Sequence, residues 1–496
     1  MNVAIASPEV YPFSKTGGLA DVAGALPKAL AGLGVNVAVV TPLHKVVDRE
    51  KYGLKNTGRT ASARMDDRDV ECGIWEGSLP GGVRVFFVDA PEYFDRKDLY
   101  RTKDADGKDM DFPDNAERYF YFSKVVFEVL RVMEFRPDVL HLNDWQTAMS
   151  AAYLRAFYGS DPFFENTGSV FTVHNLGYQG IFGSFDMHLT GLGWDNFTPD
   201  GIEYYGSINT LKAGFVYSDI INTVSKTYAR EIQTEEFGYG LQGVLTDRAD
   251  DLYGIVNGID YEVFDPETDP ALYTNFGPAD IKGKRANRKS LKADLGLAAG
   301  NSPLFGMISR LADQKGLDIL SESIEDIVKM GGQVVILGTG EEKYHLLLTE
   351  IANRHPKHVS VTLGFDLKLA NRIYAASDIF LMPSLYEPCG LSQLISLRYG
   401  TVPLVRKTGG LADTVKNYSA KTGKGNGFVF AEYSKKGLMK AVKAAFDAFA
   451  DEKAWKALIT AGMAADNSWD NSAKEYLKLY KKAAVKAKAE GDEKAA

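Results

Sequence analysis

The heptapeptide Lys15-Thr16-Gly17-Gly18-Leu19-Ala20-Asp21 recurs unchanged as Lys407-Thr408-Gly409-Gly410-Leu411-Ala412-Asp413. Each copy follows an apolar run with the pattern of a strand and opens a segment with the pattern of a helix. Glycines at such a turn let backbone N–H groups approach an anion, and the helix start adds partial positive charge. Two identical turns so far apart in one chain imply two similar α/β folds, each offering a phosphate-binding turn.

The rest of the chain supports two open sheets. Val3–Ser7 reads as a strand, Leu19–Leu33 as a helix with Gly24 and Pro27 as kink points, and Val35–Thr41 as a second strand. Further strands are expected at Val83–Val88, Val139–Leu142, Ser169–Val173 and Ile220–Val224. In the second half, strands at Leu304–Ser309, Gln333–Leu337, Val359–Leu363, Ile379–Pro383 and Val402–Val405 alternate with helices. The first of those helices carries Leu317, Leu320, Ile324, Ile327 and Val328 on one face. The alternation predicts α/β domains with doubly wound parallel sheets. We place the domains at 1–260 and 261–470, with a last helix in 471–490 and a fraying tail after it. Asp104 to Asp111, charged and glycine-containing, reads as a mobile surface loop.

Composition narrows the partners. A chain of 496 residues with 45% apolar and 25% charged residues is globular and large enough for two cores. Its formal charge of −8 argues against nucleic acid as a partner. Only Cys72 and Cys389 occur, too few for a disulfide framework or a cysteine-rich metal site. The N-terminus lacks the basic and apolar regions of a signal peptide, and no apolar run is long enough to span a membrane. A cytoplasmic location is expected, or a plastid one had a transit peptide preceded this chain.

Four sets of residues carry the chemistry. The Gly-Gly turns come first. The second is Ser309-Arg310-Leu311-Ala312-Asp313-Gln314-Lys315-Gly316, at the carboxyl end of a strand, where open α/β sheets bind ligands. Arg310 offers a fixed fork of donors and Lys315 a mobile point charge, and both suit one diphosphate. The third is Glu387-Pro388-Cys389-Gly390-Leu391-Ser392, also after a strand and before a helix. Its carboxylate suits sugar hydroxyls, or alternatively the dipole of the helix start. The fourth joins His141, Asp144 and Trp145 to His174, Asn175 and Tyr178, all at strand ends. There Trp145 and Tyr178 are either core or platforms for sugar rings. No GxxxxGK[ST] loop and no zincin-spaced histidine pair occurs, so no metal ligand set is expected.

Taken together the strings resemble the retaining glycosyltransferase family of bacterial glycogen synthases and plant starch synthases. Besides those quoted, the resemblance rests on Asp114–Arg118, Asn143–Gln146, Thr223–Ser225 and Val256–Asp260, in the family's order over residues 1 to about 470. It implies a GT-B fold of two Rossmann-like domains facing across a cleft, with the C-terminal helix returning to the first. It also implies transfer of glucose from ADP-glucose to the non-reducing end of an α-1,4-glucan, with retention and without a metal or other cofactor. By position, Arg310 and Lys315 would neutralise the donor diphosphate with backbone groups at Gly18, Thr408 and Gly409. Lys15 would reach the phosphates from the first domain on closure. Glu387, Cys389, Gly390, Leu391 and Ser392 would hold the glucose, and His174 would stand beside it. Asn257 would line the cleft, and Phe365 would stack on adenine. Asp21, Asp144 and Tyr178 would serve the acceptor.

Two departures bear on this. The wider retaining GT-B pattern has a second Glu where this chain has Ile395, and the synthase branch shares that absence. Ser392 stands where Thr is usual and keeps the hydroxyl. The rival expectations are a related enzyme using UDP-glucose and a glucan-binding protein without activity.

Overall fold

Runs such as Val37-Ala38-Val39-Val40 are apolar without alternation, the mark of a parallel strand covered on both faces. In the computed structural model, which describes residues 1–104 and 109–495, these runs form the centres of two sheets. The chain divides into two compact units, Met1–Asn257 with the segment from Trp469 onward, and Gly258–Ser468. The sequence alone puts these boundaries at 260/261 and 470/471, three and two residues later.

The first unit is built on a nine-stranded sheet among the described residues. Its spatial order is Leu252–Gly254, Ile220–Thr223, Gly168–Val173, Val139–Asn143, Asn2–Ala6, Asn36–Pro42, Val83–Asp89, Arg68–Leu79 and Lys55–Met65. The first seven pair in parallel and the last two are added antiparallel. The first strand in sequence, Asn2–Ala6, lies centrally, with Asn36–Pro42 on one side and Val139–Asn143 on the other. The order in which strands are added therefore reverses between the parallel neighbours Asn2–Ala6 and Val139–Asn143, and the crevice beyond their carboxyl ends is where such sheets take ligands.

The second unit repeats the plan with six strands. Their order is Val359–Leu363, Gln333–Gly338, Leu304–Ile308, Ile379–Met382, Val402–Arg406 and Phe428–Phe430, all parallel. Its switch point falls between Leu304–Ile308 and Ile379–Met382. The helix Leu317–Lys329 buries Leu317, Leu320, Ile324 and Ile327 against this sheet and leaves Glu322 and Glu325 exposed, as its 3.6-residue pattern requires.

The last helix, Trp469–Ala495, belongs to the first unit. Trp469, Ala473, Tyr476, Leu479, Tyr480 and Ala483 enter that unit's core. Tyr480 Oη meets His141 Nδ1 at 2.8 Å, and Tyr476 Oη accepts from Asn222 Nδ2 at 3.0 Å. Ser472 Oγ donates to the Val256 carbonyl at 2.6 Å. No described helix is long and apolar enough to cross a membrane.

Three stretches differ from what the sequence predicts: the end of the last helix, the segment Asp104–Asp111 and the hairpin over residues 55–79. The last helix extends to Ala495, past the Lys488 read from the sequence. The helix expected over Leu19–Leu33 runs from Gly18 to Gly32, with Gly24 and Pro27 both buried inside it. Of the loop expected at Asp104 to Asp111, residues 105–108 lie outside the described residues, and Asp109–Asp111 pairs with Arg101–Lys103 as a strand. The hairpin Lys55–Met65 and Arg68–Leu79 went unread, since half its positions are solvated and its alternation breaks at an irregularity between Asn56 and Thr60.

Candidate functional site

Each unit places its candidate residues on loops at the carboxyl ends of its parallel strands, at the switch point and on the strands beside it. In the second unit, Arg310 to Gly316 follows Leu304–Ile308, and Pro383 to Leu391 follows the neighbouring strand Ile379–Met382. The two loops are stitched together. Leu385 N–H donates to the Gln314 carbonyl at 2.8 Å, and Gln314 Nε2 donates to the Tyr386 carbonyl at 3.1 Å. This brings Lys315 Nζ to 2.8 and 3.0 Å from the two carboxylate oxygens of Glu387. Ser384 Oγ donates to the same carboxylate at 3.0 Å. Glu387 is 6% exposed, so the pair is largely withdrawn from water.

The third loop of this unit is the second copy of the heptapeptide. It follows Val402–Arg406 and opens the helix Gly409–Thr414. Gly410 N–H donates to the carbonyls of Glu387 and Pro388 at 3.1 and 3.0 Å. Gly409 has φ +43°, and a Cβ there would lie 1.9 Å from the Glu387 carbonyl oxygen. The glycine pair thus lets the turn lie directly on the backbone that carries Glu387. Thr408 and Cys389 are buried. Gly390 takes φ +71°, and Leu391 leads into the helix Ser392–Arg398, where Ser392 Oγ accepts from Tyr374 Oη at 2.9 Å. Glu387 precedes that helix by five residues, so it does not cap the helix start. Arg310 is exposed beyond the end of Leu304–Ile308. Phe365, 78% exposed, stands on the loop after Val359–Leu363, two strands from the switch point.

In the first unit, Ser7 to Gly17 follows Asn2–Ala6, Asp144 follows Val139–Asn143, and His174 to Gly180 follows Gly168–Val173. Asp144 sits at φ +55° and accepts the His174 N–H at 2.7 Å. Asn143 Nδ2 donates to the Ala6 carbonyl at 3.1 Å, which turns its Oδ1 toward His174 Nε2 at 3.0 Å. That orientation places the imidazole proton on Nε2 and leaves Nδ1 an acceptor. Burial lowers the His174 pKa to about 3, so the ring is neutral at pH 7. Burial raises Asp144 to about 7 against the His174 N–H bond, and the nearby Glu9 charge adds to the rise. Lys15 Nζ pairs with Asp21 at 2.7 Å, both partly exposed. Burial raises Asp21 while Lys15 opposes. Gly18 and Tyr178 are exposed. Asn257 closes this unit's main segment, 6% exposed, with no partner for Oδ1 among the described residues.

His141 is fully buried and structural, whereas Trp145 is half-buried. Trp145 meets Tyr119 edge-on at 4.9 Å, and His141 bridges Thr172 and Tyr480. The residue that sequence reasoning missed is Glu9, 3% exposed, whose carboxylate accepts from Thr16 N–H, Gly17 N–H and the Thr16 hydroxyl. Burial raises it to about 7 against those bonds. Its one sequence signal was its place, just past the carboxyl end of the first strand.

Comparison with known proteins follows the same division. A model of the starch synthase catalytic domain matches residues 2–247, and one of glycosyl transferases group 1 matches residues 290–458. The glycogen synthase of Thermosipho africanus (strain TCF52B) is 48% identical over 490 residues, 97% of this chain and 99% of that protein. That of Thermosipho melanesiensis is 49% identical, over 98% of this chain and 100% of that protein. Among solved structures, the catalytic domain of Starch Synthase IV from Arabidopsis thaliana, bound to ADP and acarbose, superposes with a TM-score of 0.89 at 33% identity. The match covers 98% of this chain and 99% of that one. Sucrose-phosphate synthase from Thermosynechococcus elongatus, at 14% identity and a TM-score of 0.57, shares the fold.

Proposed function

Because this chain belongs to the glycogen and starch synthase family of glycosyltransferases, with the GT-B fold, we propose that it extends an α-1,4-glucan from ADP-glucose. Glucose passes to the non-reducing end with retention of configuration. The observation that carries the reading is the Lys315–Glu387 pair, 2.8 Å apart at the switch point of the second unit. A sugar nucleotide has a group for each partner. Its diphosphate takes over the ammonium, and its glucose hydroxyls take over the carboxylate. Charge then grows on the diphosphate as the C–O bond breaks, and cations fixed in advance lower that barrier. We assign this neutralisation to Lys315 and Arg310, with Lys15, Gly18, Thr408 and Gly409 assisting, so no metal is required. His174, as a neutral hydrogen-bonding ring, is assigned to the glucose and Asp144 to the acceptor side. Phe365, exposed after its strand, is assigned to the adenine.

For retention we favour front-face attack, in which the acceptor hydroxyl approaches on the side of the departing diphosphate and gives its proton to a phosphate oxygen. Isolation of a covalent glucosyl–protein adduct would refute it. The bacterial relatives favour a cytoplasmic location. The structural relative carries ADP, the leaving group of the proposed donor.

The test is nucleoside diphosphate release from a panel of sugar nucleotides with glycogen as acceptor. ADP-glucose is expected to give the highest kcat/KM, and a chelator is expected to leave the rate unchanged. A preference for UDP-glucose would shift the donor assignment to the neighbouring specificity. No release from any donor would leave a glucan-binding protein.

A further inference from the structure

The first copy of the heptapeptide reads as a nest for a ligand's phosphate, yet an internal carboxylate fills its base. Glu9 lies beyond the end of Asn2–Ala6, and its carbonyl is fixed by Ser7 Oγ at 2.7 Å. Its carboxylate takes the N–H groups of Thr16 and Gly17 and meets the Thr16 hydroxyl at 3.0 Å from both oxygens. These are the amides just ahead of the fifteen-residue helix Gly18–Gly32, where the helix dipole strengthens a bond to an anion. The second copy is wired otherwise: the Thr408 N–H, in the place of Thr16, goes to the Arg406 carbonyl at 3.0 Å, and the Gly410 N–H goes to the main-chain carbonyls of Glu387 and Pro388. One sequence thus serves two units with different anchors, a side-chain carboxylate in the first and backbone carbonyls in the second.

With the Thr16 and Gly17 amides bonded to Glu9, the side chain this turn offers a diphosphate is Lys15. We propose that Glu9 is a positioning residue for glucosyl transfer. Its carboxylate holds the Lys15–Gly18 turn so that the Lys15 ammonium is presented to the donor phosphates, and its effect on the reaction passes through Lys15. This inference rests on the donor role assigned to Lys15 above. A glutamine at position 9 fits the space, but its amide has one acceptor oxygen and points an N–H2 group at donors. The turn then loses its anchor while the core keeps its volume.

The test uses the full chain, with kcat and KM measured separately for ADP-glucose and glycogen. The variants are Glu9→Gln, Lys15→Ala and the two combined. Glu9→Gln is expected to lower kcat/KM for ADP-glucose by about 10-fold or more while KM for glycogen stays within about twofold, as for loss of a hydrogen bond to a charged group. The combined variant is expected to match Lys15→Ala alone within about threefold, because residues acting as one unit are not additive. A purely structural role would lower the melting temperature and leave the two losses multiplicative. Multiplicative losses, or wild-type kinetics for Glu9→Gln beside an impaired Lys15→Ala, overturn the inference. Wild-type kinetics for Lys15→Ala would instead overturn the donor role of Lys15. If Glu9→Gln does not fold, Thr16→Val removes the hydroxyl part of the anchor at an exposed position. A loss of about threefold that vanishes in the Lys15→Ala background then supports the inference, and unchanged kinetics refutes it.

Discussion

At the scale of single residues, the Lys315–Glu387 pair concentrates the chemistry. Lys315→Ala is expected to lower kcat/KM for ADP-glucose by about 100-fold, the scale of losing one preorganised donor to a developing anion. Glu387→Gln is expected to reduce kcat similarly, and glucan elongation unchanged in both variants would make the pair structural. Each partner was legible in sequence from its place at a strand end. Their pairing was not, because it depends on two strands that meet only through sheet order. Glu9 was illegible for a similar reason, since its partners are backbone groups of a turn that its own position creates. Two buried groups of opposite sense give a second prediction. Burial holds His141 at about 3, so its stabilising effect is complete above pH 6.5 and is lost as pH falls through about 3. Glu9, raised from 4.5 to about 7, contributes fully below pH 4.5 and loses that contribution as pH rises through about 7. Between pH 4.5 and 6.5, His141→Gln should therefore lower the slope of unfolding free energy against pH by about 1.4 kcal/mol per unit, and Glu9→Gln should raise it by as much. Urea unfolding across that range measures both slopes, and equal signs would contradict the buried states described.

At the scale of elements, the two heptapeptide turns separate what sequence identity fixes from what surroundings fix. Gly17 and Gly409 occupy the same place in the repeat. Gly17 has extended backbone, φ −152°, and a Cβ there meets nothing within 4 Å. Gly409 has φ +43° and faces the Glu387 carbonyl. Gly409→Ala is therefore expected to cost about 1–3 kcal/mol, and Gly17→Ala less than about 0.5 kcal/mol, as for most unpacked surface changes. Chemical denaturation of the two variants checks this, and equal costs would show the turns to be interchangeable. The same division explains which elements could be read. The central strands were legible almost to the residue, Val139–Asn143 and Gln333–Gly338 among them, because burial on both faces demands a continuous apolar run. The edge hairpin Lys55–Met65 and Arg68–Leu79 has one solvated side and carries Arg, Asp and Glu through much of its length. Local pattern is weak there, and pairing with Val83–Asp89 makes it a strand.

At the scale of the whole molecule, the chain leaves the first unit at Asn257 and re-enters it at Trp469, so one unit is continuous in sequence and the other is not. The continuous unit has its own parallel sheet and its own core, centred on Phe305, Ile336, Phe380 and Leu404. The discontinuous unit draws part of its core from the last helix. Trp469, Tyr476, Leu479 and Tyr480 are each buried there, and burying large apolar side chains contributes roughly 1.5–3 kcal/mol apiece. Four of them amount to about 6–12 kcal/mol, as large as the whole net stability of many domains. Losing the helix also breaks the bonds of His141 Nδ1 and Asn222 Nδ2 to their tyrosine partners and opens these core positions to water. Residues 258–468 expressed alone are therefore expected to unfold in one cooperative transition. Residues 1–257 alone are expected to lack one, and to regain it when a peptide of residues 469–495 is supplied in trans. Circular dichroism during denaturant titration of the three samples decides the matter. A cooperative transition in 1–257 without the peptide would mean that the sheet and its first helices suffice, and that the returning helix adds little to the stability of the unit it joins.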